Sequence, residues 1–128
     1  MTVARQRLGR VAEELAAVRL ARAGFTILER NRRIRTAEVA GEIDLIGLDG
    51  GTLVFVEVKA GRAGSRAGPE RPALAVGRRK QLRLRLLARA WLAGSGALPR
   101  FAALRFDVVG IQLDGDRVVG YEHIRGAF

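Results

Sequence analysis

The 128-residue chain has no cysteine, one methionine, one tryptophan, one tyrosine and three prolines. Without thiols it can hold neither a disulfide scaffold nor a thiolate metal centre, and nothing points to an oxidising compartment. No apolar run approaches the roughly 18 residues that a membrane span needs. The opening Met1-Thr2-Val3-Ala4-Arg5 has no continuous apolar signal core, so a cytoplasmic protein without a membrane partner is expected. Acidic residues are also scarce. There are 13 against 23 basic ones, a net charge of +10, and within the basic set only Lys59 and Lys80 are lysines. That surplus on a small chain points to a polyanionic partner, most simply nucleic acid. Guanidinium forks suit phosphate, although GC-rich codon usage also favours Arg over Lys. Codon usage does not account for the excess of positive over negative. With 5% aromatics, base stacking is poorly supplied, which weakens a reading as an RNA or ribosome binder.

What is present suits one domain spanning residues 1–128, since 48% apolar residues suffice for a core. Leu8, Val11, Ala12, Leu15 and Val18 recur at helical steps, which predicts a helix over residues 4–23 stopped by Gly24. Phe25 to Leu28 reads as a short strand, and Asn31 to Ala40, polar and basic, as a loop or ragged strand end. Glu42 to Ile46 and Leu53 to Lys59 read as two strands joined at Asp49-Gly50-Gly51. Gly61 to Pro72 is a basic loop. Gly77 to Leu92 has the leucine and alanine content of a helix. Leu104 to Val109 and Val118 to Tyr121 are strands about an Asp114-Gly115 turn. The order α-β-β-β-α-β-β predicts an α/β fold, a mixed central sheet flanked by helices.

The chemistry concentrates in Glu42-Ile43-Asp44 and Glu57-Val58-Lys59. If Gly50-Gly51 are a two-residue loop, Asp49 pairs with Thr52. Asp44 then falls opposite Glu57 and Glu42 opposite Lys59, with Cβ atoms about 4.5–5.5 Å apart. An odd-length loop would separate Asp44 and Glu57 onto opposite faces. The flanking Ile43, Leu45, Val54, Val56 and Val58 are plainly core, so the carboxylates are drawn inside with them. Two adjacent buried carboxylates repel and need a positive partner. Lys59 is one candidate and a hard divalent cation such as Mg²⁺ is the other. Alternation puts Lys59 on the same face as Glu57, where it can hold and polarise an attacking water. Such a set is a compact device for metal-assisted phosphodiester hydrolysis.

These residues carry a resemblance over nearly the whole chain. Gly24-Phe25 through Glu29-Arg30-Asn31, Gly41 to Ile46, Val54 to Lys59, Lys80, Arg105 to Val109 and the terminal Ala127-Phe128 resemble the YraN-like family of bacterial proteins. That family lies within the restriction-endonuclease-like superfamily and is similar to Holliday-junction resolvases. The resemblance implies an α-β-β-β-α-β core whose first three strands form a meander. It also implies a PD-(D/E)-x-K nuclease with Asp44, Glu57 and Lys59 as its motif, completed by a first-helix glutamate, Glu13. Here Ile43 replaces the motif's proline, Ala12-Glu13 replaces Gly-Glu, the stretch from Thr36 to Ala40 is longer than usual, and Arg62 follows the lysine one place late.

The resulting expectation is a Mg²⁺-dependent nuclease, with Mn²⁺ able to substitute, acting on DNA and on branched or junction DNA in particular. Asp44, Glu57 and the Val58 carbonyl would hold the metal, with Glu13 or Glu42 as the further acid, and Lys59 would position water. Lys80, Arg62, Arg78 and Arg85 would contact nucleic acid. Lys80 shares a helical face with Leu84, Leu87 and Trp91, where it reaches a phosphate, the acidic cluster, or merely snorkels. Leu82 and Leu86 lie on a third face, open to a homodimer partner or to the last strands. Asp107 reads as a partner for an arginine, and His123 has no assigned role. The rival expectation is a nucleic-acid-binding accessory protein that keeps the nuclease fold without turnover.

Overall fold

A computed structural model describes residues 3–64 and 71–128. The first helix, α1, spans Val3–Arg22 and ends as the sequence predicts: Gly24 takes φ 104°, Phe25 N–H donates to Leu20 O and Gly24 N–H to Ala21 O. This is the paired closure that a left-handed glycine permits. Three strands follow, β1 (Thr26–Arg35), β2 (Ala40–Asp49) and β3 (Thr52–Arg62). A short 3₁₀ turn at Pro72–Ala75 leads into α2 (Arg78–Gly94), then β4 (Ala103–Asp114) and β5 (Arg117–Ile124).

Among the described residues, five strands form one mixed sheet in the order β1-β2-β3-β4-β5. All neighbours are antiparallel except β3 and β4, which run parallel with α2 as the crossover between them. One face packs α1 through Ala12, Ala16, Ala17 and Leu20 against Leu45, Val54, Val56, Val58, Val109 and Ile111. Three alanines let this helix lie close to the valine-rich sheet. The other face packs Leu84, Leu87, Ala88 and Trp91 of α2 against Ile43, Ile46, Leu53, Phe55 and Phe106. Strands covered on both faces read as continuous apolar runs, which is why β3 was so legible.

The structure sharpens three sequence expectations. Of a loop or a ragged strand end for the stretch from Asn31, it shows strand: β1 continues through Arg35, paired to β2 as far as Arg35↔Ala40. It is an edge strand whose arginines face solvent, so it lacks the apolar alternation that marks a half-buried strand. The basic loop begins later than expected, because β3 runs on to Arg62; residues 65–70 of that loop lie outside the described residues. Leu82 and Leu86, left open to a homodimer partner or to the last strands, lie off the sheet-facing side of α2. Leu82 is 60% exposed, because the side of α2 that meets the sheet is taken by Leu84, Leu87, Ala88 and Trp91.

Candidate metal centre and basic cleft

The hairpin register is as the loop arithmetic requires, from Asp49↔Thr52 to Leu45↔Val56. The ladder then stops. Asp44 and Glu57, and Glu42 and Lys59, lie beyond the last paired residues. Instead the Asp44 carboxylate enters the gap, and Val58 N–H donates to its Oδ2 at 2.8 Å. Beyond this point β2 stays with β1 and β3 stays with β4, so the sheet forks at Asp44. The β1–β2 register passes over Asn31 and Asp44, and Asn31 takes φ 51°. On either side of Asp44, Ile43 packs towards α2 and Leu45 towards α1.

The fork collects carboxylates. Asp44 is 9% exposed and Glu57 5%. Burial, and then the neighbouring Glu57 charge, push the Asp44 carboxyl from 3.8 up to about 8; the Val58 N–H opposes this. A protonated Asp44 can donate to Glu57. With both ionised, Glu57 Oε2 is buried with no hydrogen-bond donor. On the α1 side, oxygens of Glu13, Glu42 and Asp44 all lie within 4.8 Å of one another. Burial raises the Glu13 carboxyl, the Asn31 side-chain amide that donates to it works the other way, and Asp44 and Glu42 raise it further. The sequence left Glu13 and Glu42 as rivals for the further acid; both are here. Asp44 is the hub shared with Glu57.

The two lysines have different surroundings. Lys80 comes from the first turn of α2, with its Nζ 3.6 Å from Glu57 Oε1. Of the options the sequence left for it, the acidic cluster is the one occupied. Lys59 lies on the next stretch of β3 and has no ion-pair partner among the described residues. It lines a cleft between the first half of α1 and the β1 edge, together with Arg5, Arg10, Glu13, Arg30, Asn31, Arg33 and Glu42. The acidic cluster is thus flanked by arginines that sequence reasoning missed. Their signal was the Arg-Asn-Arg-Arg run at 30–33, unreadable while that stretch passed for a loop.

Other expected nucleic-acid contacts lie elsewhere. Arg62 borders a separate hollow beside Arg7, Leu113 and Asp114. Arg78 is in the first turn of α2. The Arg85 guanidinium covers the rings of Phe106 and Phe128, at 5.1 and 5.5 Å from their centres. Asp107 does pair with an arginine, Arg105, at 2.7 Å. It also holds His123 Nε2 at 2.7 Å and accepts from Gly126 N–H. His123, given no role by the sequence, is a partner of a fully buried carboxylate. Nothing local announces a contact between residues 16 apart on neighbouring strands.

The chain matches "Uncharacterised protein family UPF0102" over residues 12–111. It is similar to a UPF0102 protein of Anaeromyxobacter dehalogenans, 45% identical over 97% of this chain and 85% of the relative. It is also similar to one of Streptomyces griseus, 46% identical over 96% of this chain and 97% of the relative. A third, from Moorella thermoacetica, is 42% identical over the full length of both. The matched span holds Glu13, the fork, both lysines and most of β4, and the chain belongs to the UPF0102 family, the YraN-like proteins of the resemblance.

Proposed function

We propose that this protein is a Mg²⁺-dependent nuclease acting on DNA, with branched or junction DNA as the substrate to test first. The observation that carries the reading is the fork: Asp44 and Glu57 buried side by side, with Glu57 Oε2 left without a donor. Carboxylates so placed cost free energy until a proton or cation joins them. The donor set is all oxygen, which suits Mg²⁺ or Mn²⁺. Asp44 and Glu57 would hold the cation, with the Val58 carbonyl beside them and Glu13 or Glu42 as further acids. When bound, it supplies Lewis acidity and a more acidic bound water.

The chain's own groups account for the rest. Lys59, free of carboxylate partners among the described residues, can hold a water or a phosphate oxygen at the cleft. Arg10, Arg30 and Arg33 can bind a phosphate backbone along the β1 edge. Binding of this kind reads charge rather than sequence, so little base preference is expected. DNA as substrate would place the protein in the cytoplasm. Among the described residues, no helix is long and apolar enough to cross a membrane.

The test is cleavage of end-labelled duplex, flap, single-stranded and four-way-junction DNA over a Mg²⁺ or Mn²⁺ titration. Cation-dependent cleavage by the wild type, lost by at least about a hundredfold in Asp44→Asn and Lys59→Ala, is expected. Equal activity in well-folded variants would place the reaction elsewhere. Tight DNA binding with no cleavage under any condition would favour the rival, a binding protein that keeps the nuclease fold.

A further inference from the structure

The two lysines of the site are held in different ways. The two oxygens of Glu57 are held differently: Oε1 lies 3.6 Å from Lys80 Nζ, and Oε2 is buried without a donor among the described residues. Lys80 is 37% exposed at its side chain, whereas Glu57 is 5% exposed. The ammonium therefore reaches in from solvent to a carboxylate that cannot reach out. It lies on α2 and is not among the residues that line the cleft. Lys59 belongs to the cleft and has no carboxylate partner among the described residues.

We propose that Lys80 is a positioning residue that acts through Glu57: it is a built-in counter-ion that holds the empty site together and, by its charge, sets how much divalent cation is needed to load it. This rests on the cation-dependent reading above. The physical argument is a balance. Without a cation, Lys80 offsets part of the charge that Asp44 and Glu57 bring into the fork. A divalent cation at the same carboxylates is repelled by the ammonium, and a group that repels the ligand weakens its binding by the same free energy with which the ligand disfavours the group. Lys80 sits at Oε1, so Oε2 is the oxygen of Glu57 that would be open to a cation.

The test uses Lys80→Gln, which can still donate a hydrogen bond to Glu57 Oε1 but carries no charge, and Lys80→Arg, which keeps the charge. Mg²⁺ binding is measured on the full chain by isothermal titration calorimetry at pH 9 without DNA, and thermal unfolding is followed with and without Mg²⁺. Lys80→Gln is expected to melt lower than wild type without Mg²⁺, to bind Mg²⁺ about tenfold more tightly, and to gain more in Tm from it. Lys80→Arg is expected to stay within about threefold of wild type. A role in packing alone would lower Tm and leave Mg²⁺ affinity unchanged or weaker, and that result overturns the proposal. If the wild type binds Mg²⁺ and Lys80→Gln binds it no better, only the role of Lys80 falls. If neither binds Mg²⁺, this inference and the nuclease reading fall together.

Discussion

The fold favours the protonated form of the Asp44 carboxyl. Its value in the folded chain is about 8 against an ordinary 3.8, from burial first and the Glu57 charge second. The folded state therefore binds more protons than the unfolded chain between about pH 4 and pH 8. The sign follows: its stabilising contribution is complete below pH 4 and is lost as pH rises towards 8. Asp44→Asn keeps an acceptor for Val58 N–H and removes the titration. In the absence of divalent cations we expect the variant to be more stable than wild type by about 1–3 kcal/mol at pH 8.5, with little difference at pH 4. Urea unfolding at both values checks this, and parallel profiles would mean that Asp44 ionises freely. Adding Mg²⁺ at pH 8.5 should stabilise wild type and leave Asp44→Asn unmoved.

The strands depend on contacts that a linear reading does not contain. Gly110 of β4 pairs with Lys59, and a Cβ placed there would lie 2.8 Å from Ala73 Cβ in the 3₁₀ turn. Gly110→Ala must push that turn off the sheet and should cost about 2 kcal/mol in chemical denaturation; a neutral result would mean that the turn yields freely. Asp107 does a similar job for β4, β5 and β2. Bonds from His123, Arg105 and Gly126 N–H outweigh its burial and hold its carboxyl down to about 2, while Arg105 reaches on to Asp49 at 2.9 Å. This contribution is present above about pH 4 and is lost as pH falls towards 2, the opposite sense to Asp44. Asp107→Ala leaves Arg105 and His123 short of their buried partner and should cost about 3 kcal/mol at pH 7. A loss under about 1 kcal/mol would show that Asp49 and solvent replace it.

On the scale of the whole molecule, a charge of +10 forecasts anion binding but does not say where. The fold puts Arg10, Arg30 and Arg33 around the cleft that holds the acids, and it lays Arg85 over two rings. Arg10→Ala and Arg33→Ala are thus expected to weaken DNA binding across sequences and each to reduce the salt slope by about one. With about six phosphate contacts, wild type should lose roughly a thousandfold in affinity between 50 and 200 mM salt. Arg85→Ala should lower stability by about 0.5–1 kcal/mol, with less effect on binding than either cleft variant. Filter binding over a salt series, beside thermal melts, separates the two kinds of arginine. A larger binding loss from Arg85 than from Arg33 would move the interface to α2.

By itself the sequence determined the element order, the glycine closure of α1, the Asp49–Thr52 hairpin and the valines and leucines that cover the sheet. These depend on local conformational preference and on the period of apolar residues, both written in consecutive positions. It also brought Asp44 and Glu57 close, because register in a tight hairpin propagates from its loop as far as Leu45↔Val56, the pair next to them. Only the tertiary structure decided that the β2–β3 pairing ends at Leu45↔Val56, since that depends on β2 staying with β1 and β3 with β4. The edge arginines of β1 and His123 on Asp107 were hidden for the same reason, and so was which of its open options Lys80 takes. Each joins elements brought together by packing on the two faces and edges of the sheet, and no residue's neighbours in the chain encode which distant side chain will meet it there.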